Sequence, residues 1–278
     1  MKLTYHGTAA AEGWPALFCQ CESCRVSAEK GGKSIRTRSQ ALVNDDLLID
    51  FPADTLLHTL YGGLDLNKVK DVLITHSHED HFYPEDIACR QSGYTKFRAP
   101  HALPIYGSDG VVKKYDQIAQ ISWNGEMREV APMVELTEYQ PLELENYTVW
   151  PMLADHNPYE KCFIYIIRDK KDGKTLLYAH DTGYLREDNW EFMKDFHFDL
   201  VSLDCTFGKL FETRGHMGIE TCAQVKEDML KRGLADEKTV FIVNHYSHNC
   251  KYLCHEEIEE DAARYGMLAS YDGMTAEV

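Results

Sequence analysis

The sequence predicts an αββα sandwich, two β-sheets lying face to face with helices on their outer sides. Short β-rich runs dominate the first two-thirds of the 278 residues, and strand and helix patterns alternate through the last third. No Pro/Gly/Ser linker, internal repeat or low-complexity segment divides the chain, so a single domain over residues 1–278 is expected. Apolar residues make up 44% and charged residues 27%, which excludes a disordered, collagen-like or coiled-coil chain.

Apolar runs mark strands at residues 3–6, 40–43 and 47–50, followed by a helical pattern at 53–61. Residues 69–75 read as a buried strand and 84–94 as a helix, with Pro84 in the first turn where its missing N–H costs no bond. Residues 107–132 fit neither period. Strands follow at 147–153, 162–168 and 175–179; the last two flank Lys171-Asp172-Gly173-Lys174, whose Asp-Gly pair favours a hairpin turn. Helix, strand, helix, strand and helix are then expected at 186–196, 200–203, 219–232, 240–243 and 256–264. A closing strand pair, 268–271 and 274–277, brackets a second Asp-Gly turn at Asp272-Gly273.

Charge narrows the partners. With 29 Lys+Arg against 45 Asp+Glu the net charge is −16, a surface that repels phosphate backbones and argues against nucleic acid. The one basic stretch, with Lys30, Lys33, Arg36 and Arg38, reads as a solvated loop. The longest unbroken apolar run, residues 162–167, is far short of the roughly 20 residues of a membrane span. Met1-Lys2-Leu3-Thr4-Tyr5-His6 lacks the apolar core of an export signal, so a cytoplasmic protein with no membrane partner is expected. Disulfides are then disfavoured, and metal ligation is the better reading of the clustered Cys19, Cys21 and Cys24.

The strand Val72-Leu73-Ile74 runs into Thr75-His76-Ser77-His78-Glu79-Asp80-His81. Packing gives no reason for an apolar strand to end in three histidines and an aspartate. On an extended backbone residues two apart point the same way, so His76 and His78 converge on one metal. Asp80 and His81 can reach a second, and two ions roughly 3.5–4 Å apart form the clamp of hydrolytic phosphoryl chemistry. The bland alternative is a polar loop with exposed histidines. His156, Asp181 and His245 each follow a strand, where loops gather at a sheet edge.

In this order these residues resemble the metallo-β-lactamase superfamily. Within it, His6-Gly7-Thr8 through Gly13-Trp14-Pro15 and then Cys19, Cys21 and Cys24 are similar to the opening of PhnP-type cyclic-phosphate phosphodiesterases. So are Ser202-Leu203-Asp204-Cys205, Asn244-His245-Tyr246-Ser247-His248 and Tyr271-Asp272-Gly273-Met274. The likeness weakens between Gly107 and Leu144 and departs at Ala9-Ala10 and at His180. It implies a metallo-β-lactamase-type α/β sandwich. It assigns His76, His78 and His156 to one ion and Asp80, His81 and His245 to another, with Asp181 bridging. A hydroxide held by both would attack phosphorus. Imidazole and carboxylate donors suit Mn, Zn or Fe, and the resemblance favours Mn.

The resemblance also supplies His248 as the fourth ligand of a structural zinc with Cys19, Cys21 and Cys24, pinning a zinc-binding loop of about residues 13–38 to the site edge. It makes His216, in Arg214-Gly215-His216-Met217-Gly218, the proton donor; His216 and Asp80 are the catalytic candidates. Asp204 would orient His216 or a metal ligand, and Asp50 reads as a loop-pinning hydrogen-bond acceptor. Cys250, Cys254 and His255 invite a further zinc, but packing is the better reading. Cys89, Cys162, Cys205 and Cys222 read as small buried residues, and His6, His58, His101, His180 and His197 as structural histidines.

The resemblance implies 5-phosphoribosyl 1,2-cyclic phosphate as the small-molecule substrate, and a homodimer. The alternatives are a tRNA 3′-processing endonuclease of the RNase Z kind, a lactonase or thioesterase, and, from another class, a non-catalytic metal-binding module.

Overall fold

The strand runs pair into two seven-stranded sheets; this computed structural model describes residues 1–96, 101–121 and 125–278. The first part of the chain supplies β1 (Lys2–Gly7), β2 (Gln40–Val43), β3 (Leu47–Ile49), β4 (Asp71–Leu73), β5 (Ile105–Gly107) and β6 (Met133–Glu135). The rest supplies β7 (Leu142–Glu143), β8 (Tyr147–Leu153), β9 (Phe163–Asp169), β10 (Thr175–Ala179), β11 (Leu200–Asp204), β12 (Val240–Asn244), β13 (Leu268–Ala269) and β14 (Thr275–Glu277). One sheet has the order β14-β1-β2-β3-β4-β5-β6, the other β13-β12-β11-β10-β9-β8-β7.

Each sheet is half antiparallel and half parallel, the parallel halves being β3 to β6 and β10 to β13. Parallel neighbours cannot be joined by a tight turn, so helices make the crossovers. After α1 (Glu22–Lys30), between β1 and β2, comes α2 (Thr55–Tyr61), which links β3 to β4. Then α3 (Asp109–Ile121) and α4 (Met127–Val130) link β5 to β6. In the second sheet α5 (Glu187–Met193), α6 (Ile219–Lys231) and α7 (His255–Arg264) make the three successive crossovers.

Alternation along the strands sorts the apolar residues into three layers. Between the sheets lie Leu3, Val43, Leu47, Ile49, Leu176 and Tyr178. Their neighbours Leu42, Leu48 and Val72 face outward onto Val111, Tyr115 and Ala119 of α3. Leu177, Val201 and Val243 face the other way, onto Trp190, Val225 and Ile258 of the last three helices. Strands covered on both faces read as continuous apolar runs. The αββα expectation is met, and among the described residues no helix is long and apolar enough to cross a membrane.

Several expectations are corrected. Residues 84–94 hold only a short 3-10 turn, Asp86–Arg90, in place of a helix. The closing strands do not pair with each other: β13 lies parallel to β12 and β14 antiparallel to β1, in opposite sheets. Asp272-Gly273 is the passage between sheets. Gly273 takes the positive φ of 89°, and the Asp272 carboxylate accepts from Thr8 Oγ1, Thr37 Oγ1 and Thr37 N.

The cysteine-rich segment is no plain loop, since α1 begins inside it with Cys21 as its N-cap. Arg36 is buried rather than solvated, donating to Thr8 Oγ1, the Ser270 carbonyl and His255 Nδ1. Cys89 is exposed, whereas Cys162, Cys205 and Cys222 are buried. Of the structural histidines, His101 and His197 are exposed and His6, His58 and His180 buried.

Candidate metal centre

The C-terminal ends of β4, β10, β11 and β12 meet at one edge of the sandwich, the edge where α/β sheets build ligand sites. Three strand-end residues there, Asp50, Asp181 and His245, adopt left-handed φ angles of 65°, 51° and 64°. That region costs a non-glycine residue of order 1 kcal/mol or more and persists where surrounding structure imposes it.

After β4 the chain turns back on Asp50, whose Oδ1 accepts from Thr75 N and Thr75 Oγ1 at 2.8 and 2.9 Å. The other oxygen, Oδ2, lies 2.7 Å from His81 Nδ1. That bond fixes the His81 tautomer and leaves Nε2 facing the centre. His76 Nε2 stands 2.9 Å from His78 Nδ1, which is 3.3 Å from His156 Nε2. His156 is turned by its own Nδ1, 3.3 Å from the Gly215 carbonyl. Three ring nitrogens thus converge on one point.

The second group is buried. His81 Nε2 lies 2.6 Å from Asp181 Oδ2, 3.2 Å from Asp80 Oδ2 and 3.2 Å from His245 Nε2. His245 Nε2 is 3.1 Å from the same Asp181 oxygen, while its Nδ1 is held 2.8 Å from Thr206 Oγ1. The other Asp181 oxygen, Oδ1, faces His156 at 3.8 Å and His216 at 3.5 Å. Asp181 therefore stands between the two groups.

Divalent ions fit this donor set. Two ligands bound to one tetrahedral ion stand about 3.3–3.4 Å apart, and the ring nitrogens here are separated by 2.9–3.3 Å. Asp181 Oδ2 is buried and makes no well-aligned hydrogen bond, its neighbours being the ring nitrogens of His81 and His245. Asp50, Asp80, Asp181 and Asp204 are all buried together, a concentration of negative charge that requires cations. Burial opposes charge on His81, yet Asp181, Asp80 and Asp50 outweigh it and hold His81 well above its ordinary value.

Asp204, at the end of β11, anchors this edge. It accepts from Asp181 N, Thr206 N, Thr206 Oγ1 and Met217 N at 3.0–3.1 Å, and lies 3.1 Å from His216 Nδ1. So occupied, it orients its neighbours rather than offering itself as a ligand, although Asp181, Asp204, His216 and His245 gather closely enough to form a group. His216 is 22% exposed, with its ring 4.9 Å from that of His156. Burial lowers its pKa, but Asp204, with Asp181 and Asp80 behind it, raises it overall to about 9.

Elsewhere, the ligand atoms of Cys19, Cys21, Cys24 and His248 lie within 4.8 Å of one another. His248 Nδ1 is 3.5 Å from Cys19 Sγ and 3.4 Å from Cys21 Sγ. Cys250, Cys254 and His255 belong to no such group among the described residues, and His255 Nδ1 is taken by Arg36. The sequence reading missed Thr206, which orients His245 and follows Asp204-Cys205 directly. It also missed Glu160, which accepts from Ser77 Oγ at 2.9 Å inside the histidine motif; no sequence pattern ties those two segments.

Comparison with known proteins decides the family. The model of the beta-lactamase superfamily domain matches residues 49–241. The chain belongs to the metallo-β-lactamase superfamily. A curated relative in the superfamily, the probable metallo-hydrolase YhfI of Bacillus subtilis (strain 168), is 26% identical over 166 residues. That match spans 58% of this chain and 61% of the relative, less than two-thirds of its length. Among solved structures, a diphosphatase from the PhnP family superposes with a TM-score of 0.75 at 18% identity, covering 100% of this chain and 97% of that one. The short form of human tRNase Z superposes at 0.65 with 17% identity, covering 100% and 99%. At such identities these likenesses concern the fold.

Proposed function

We propose that the chain is a phosphodiesterase that takes two divalent ions at this centre and hydrolyses a small cyclic phosphodiester, of the 5-phosphoribosyl 1,2-cyclic phosphate kind. The observation that carries the reading is His216, half-buried at the rim of the histidine groups with Nδ1 3.1 Å from Asp204. Fixed through Nδ1, the ring has Nε2 free to give a proton to a leaving oxygen. Asp204 beside Nδ1 favours the protonated ring, the form a proton donor needs. His76, His78 and His156 would hold one ion and Asp80, His81 and His245 the other, with Asp181 shared. Bound there, such ions supply Lewis acidity toward a phosphoryl group and lower the pKa of water. Manganese is the expected metal, and zinc or iron suit the same donors.

The residues of the chain do the rest. Asp50 and Thr206 hold His81 and His245 in one tautomer each, and Asp204 keeps His216 and the Asp181 backbone in register. Net, one water adds across a P–O bond and the ring opens. Cys19, Cys21, Cys24 and His248 would hold a separate structural zinc. Residues 1–278 act as one hydrolase domain, since both ends of the chain enter the same sheet.

The test is a screen of metal-defined protein against cyclic phosphodiesters, linear phosphodiesters, diphosphates and precursor tRNA. A small cyclic phosphodiester should give the highest kcat/KM. Cleavage of precursor tRNA without turnover of small diesters would replace this reading with a nuclease. Preference for a P–O–P bond would move the substrate toward that named for the PhnP-family relative.

A further inference from the structure

Beside His216 lies a cleft of about 550 Å³ walled by Asp155, Tyr184, Arg186, Thr213, Arg214 and Gln224. We infer that this cleft receives a second phosphate carried by the substrate, with Arg214 and Arg186 as its specificity-determining residues; the inference rests on the phosphodiesterase reading. The walls continue directly into the candidate centre, because Asp155 precedes His156 and Arg214 stands two residues before His216.

Three loops are fastened together here. Gly183 N donates to the Asp155 carbonyl and Tyr184 N to the Thr213 carbonyl, both at 2.9 Å. A Cβ on Gly183 would lie 2.4 Å from the Thr213 carbonyl oxygen, so the chains touch and only glycine fits. The offset between cleft and centre is therefore set by the same loops that carry His156, Asp181 and His216, and a ligand spanning both meets a fixed spacing.

The cleft is less acidic than the molecule around it. The chain carries −16, while here two guanidinium groups are matched by two carboxylates, Arg214 by Asp155 and Arg186 by Asp188. Arg214 is 82% exposed and uses only Nε, 2.9 Å from Asp155 Oδ2. Arg186, 42% exposed, uses Nε and Nη2 on Asp188 at 3.0 and 2.8 Å. Both Nη groups of Arg214 and Nη1 of Arg186 have no bonded partner among the described residues. Asp155 and Asp188 thus steady the two planar forks and leave their outer edges for an oxyanion, the geometry that favours phosphate. The volume admits a phosphorylated sugar.

The test compares 5-phosphoribosyl 1,2-cyclic phosphate with ribose 1,2-cyclic phosphate, the same diester without the second phosphate, on manganese-loaded protein. Arg214→Gln and Arg186→Gln should each raise KM for the phosphorylated substrate roughly 10-fold, with kcat less affected. The kcat/KM for the unphosphorylated diester should fall less than about threefold, and Arg214→Lys should recover part of the loss. Equal losses on the two substrates, or none on either, overturn the assignment. Wild type that turns over neither diester removes the phosphodiesterase reading instead. Calorimetric titration with ribose 5-phosphate then decides the cleft: binding to Arg214→Gln should be at least about fivefold weaker than to wild type, and equal affinities refute it.

Discussion

A proton donor acts only where negative charge develops on the leaving oxygen, and that makes the role of His216 separable from metal binding. His216→Ala should lower turnover of a substrate with a poor alkoxide leaving group by roughly 10²–10⁴-fold. With p-nitrophenolate, which leaves without protonation, the loss should be much smaller, and metal content should stay intact in both measurements. Equal losses on the two substrates would contradict a donor role; loss of a metal would make His216 a ligand. A second single-residue effect concerns His6, buried on β1 with its ring 6.0 Å from that of His58. Burial pushes its pKa down from 6.5 to about 4. Between those values the unfolded chain binds more protons than the folded one, so stability falls as pH drops from 6.5 toward 4. The cost reaches roughly 3 kcal/mol at the acid end. His6→Phe should lose less stability than wild type between about pH 7.5 and pH 4.5 in denaturant melts, and parallel pH slopes would refute the assignment.

The segment around α1 shows what a helix end and a ligand group ask of one residue. Cys21 caps α1, its Sγ accepting from Cys24 N at 3.4 Å, and also faces His248. Serine is a good N-cap, so Cys21→Ser keeps the cap and removes only the thiolate. If these residues hold a structural zinc, which contributes folding free energy directly, the variant should melt at least about 5 °C lower. Activity per folded molecule should change less than about threefold. An unchanged melting temperature with lost activity would assign the cysteines to the chemistry. The α1 helix escaped the sequence reading because its buried face is Ser23, Cys24 and Ser27, small residues that give no apolar stripe. In α3 the stripe Val111, Tyr115, Ala119 and a start signal at Ser108-Asp109 were both present, and the sequence reading missed them. Strands of two or three residues, such as β6 and β7, are too short to display alternation. The long runs at β9 and β10 were legible because burial on both faces leaves few polar positions, and β8 because its burial alternates along seven residues. The Asp272-Gly273 error has a different source, since turn chemistry reports that the chain bends and tertiary pairing decides which sheet receives it. The histidines and aspartates that meet at one edge were readable one strand end at a time. The burial of Arg36 and the convergence of Arg186 with Arg214 depend on loops far apart in sequence.

Across the whole molecule, each of the three ligand groups draws on both halves of the sandwich. His76, His78, Asp80 and His81 follow β4 of one sheet, while His156, Asp181 and His245 follow β8, β10 and β12 of the other. Cys19, Cys21 and Cys24 lie between β1 and β2, and His248 follows β12. Direct polar bonds also cross between the sheets, such as Tyr5 OH with Ser202 Oγ at 2.7 Å and Tyr165 OH to the Ile74 carbonyl at 2.6 Å. Ions at these positions would therefore act as staples between sheets, and what binds the folded state alone stabilises it by mass action. Removing the pair also leaves Asp50, Asp80, Asp181 and Asp204 buried with only histidine protons to offset them. Elemental analysis of the purified protein should accordingly find about three ions per chain, one of them resistant to mild chelation. Mild chelation should abolish turnover and lower the melting temperature without unfolding the chain. Restoring manganese should recover both. Harsher removal of the last ion should lower the melting temperature again while the catalytic pair is still saturated. Folded protein without zinc would remove the Cys-His site. An unchanged melting temperature on loss of the pair would mean that the interior apolar layer alone holds the sheets together, and that the clustered carboxylates are relieved by protonation instead.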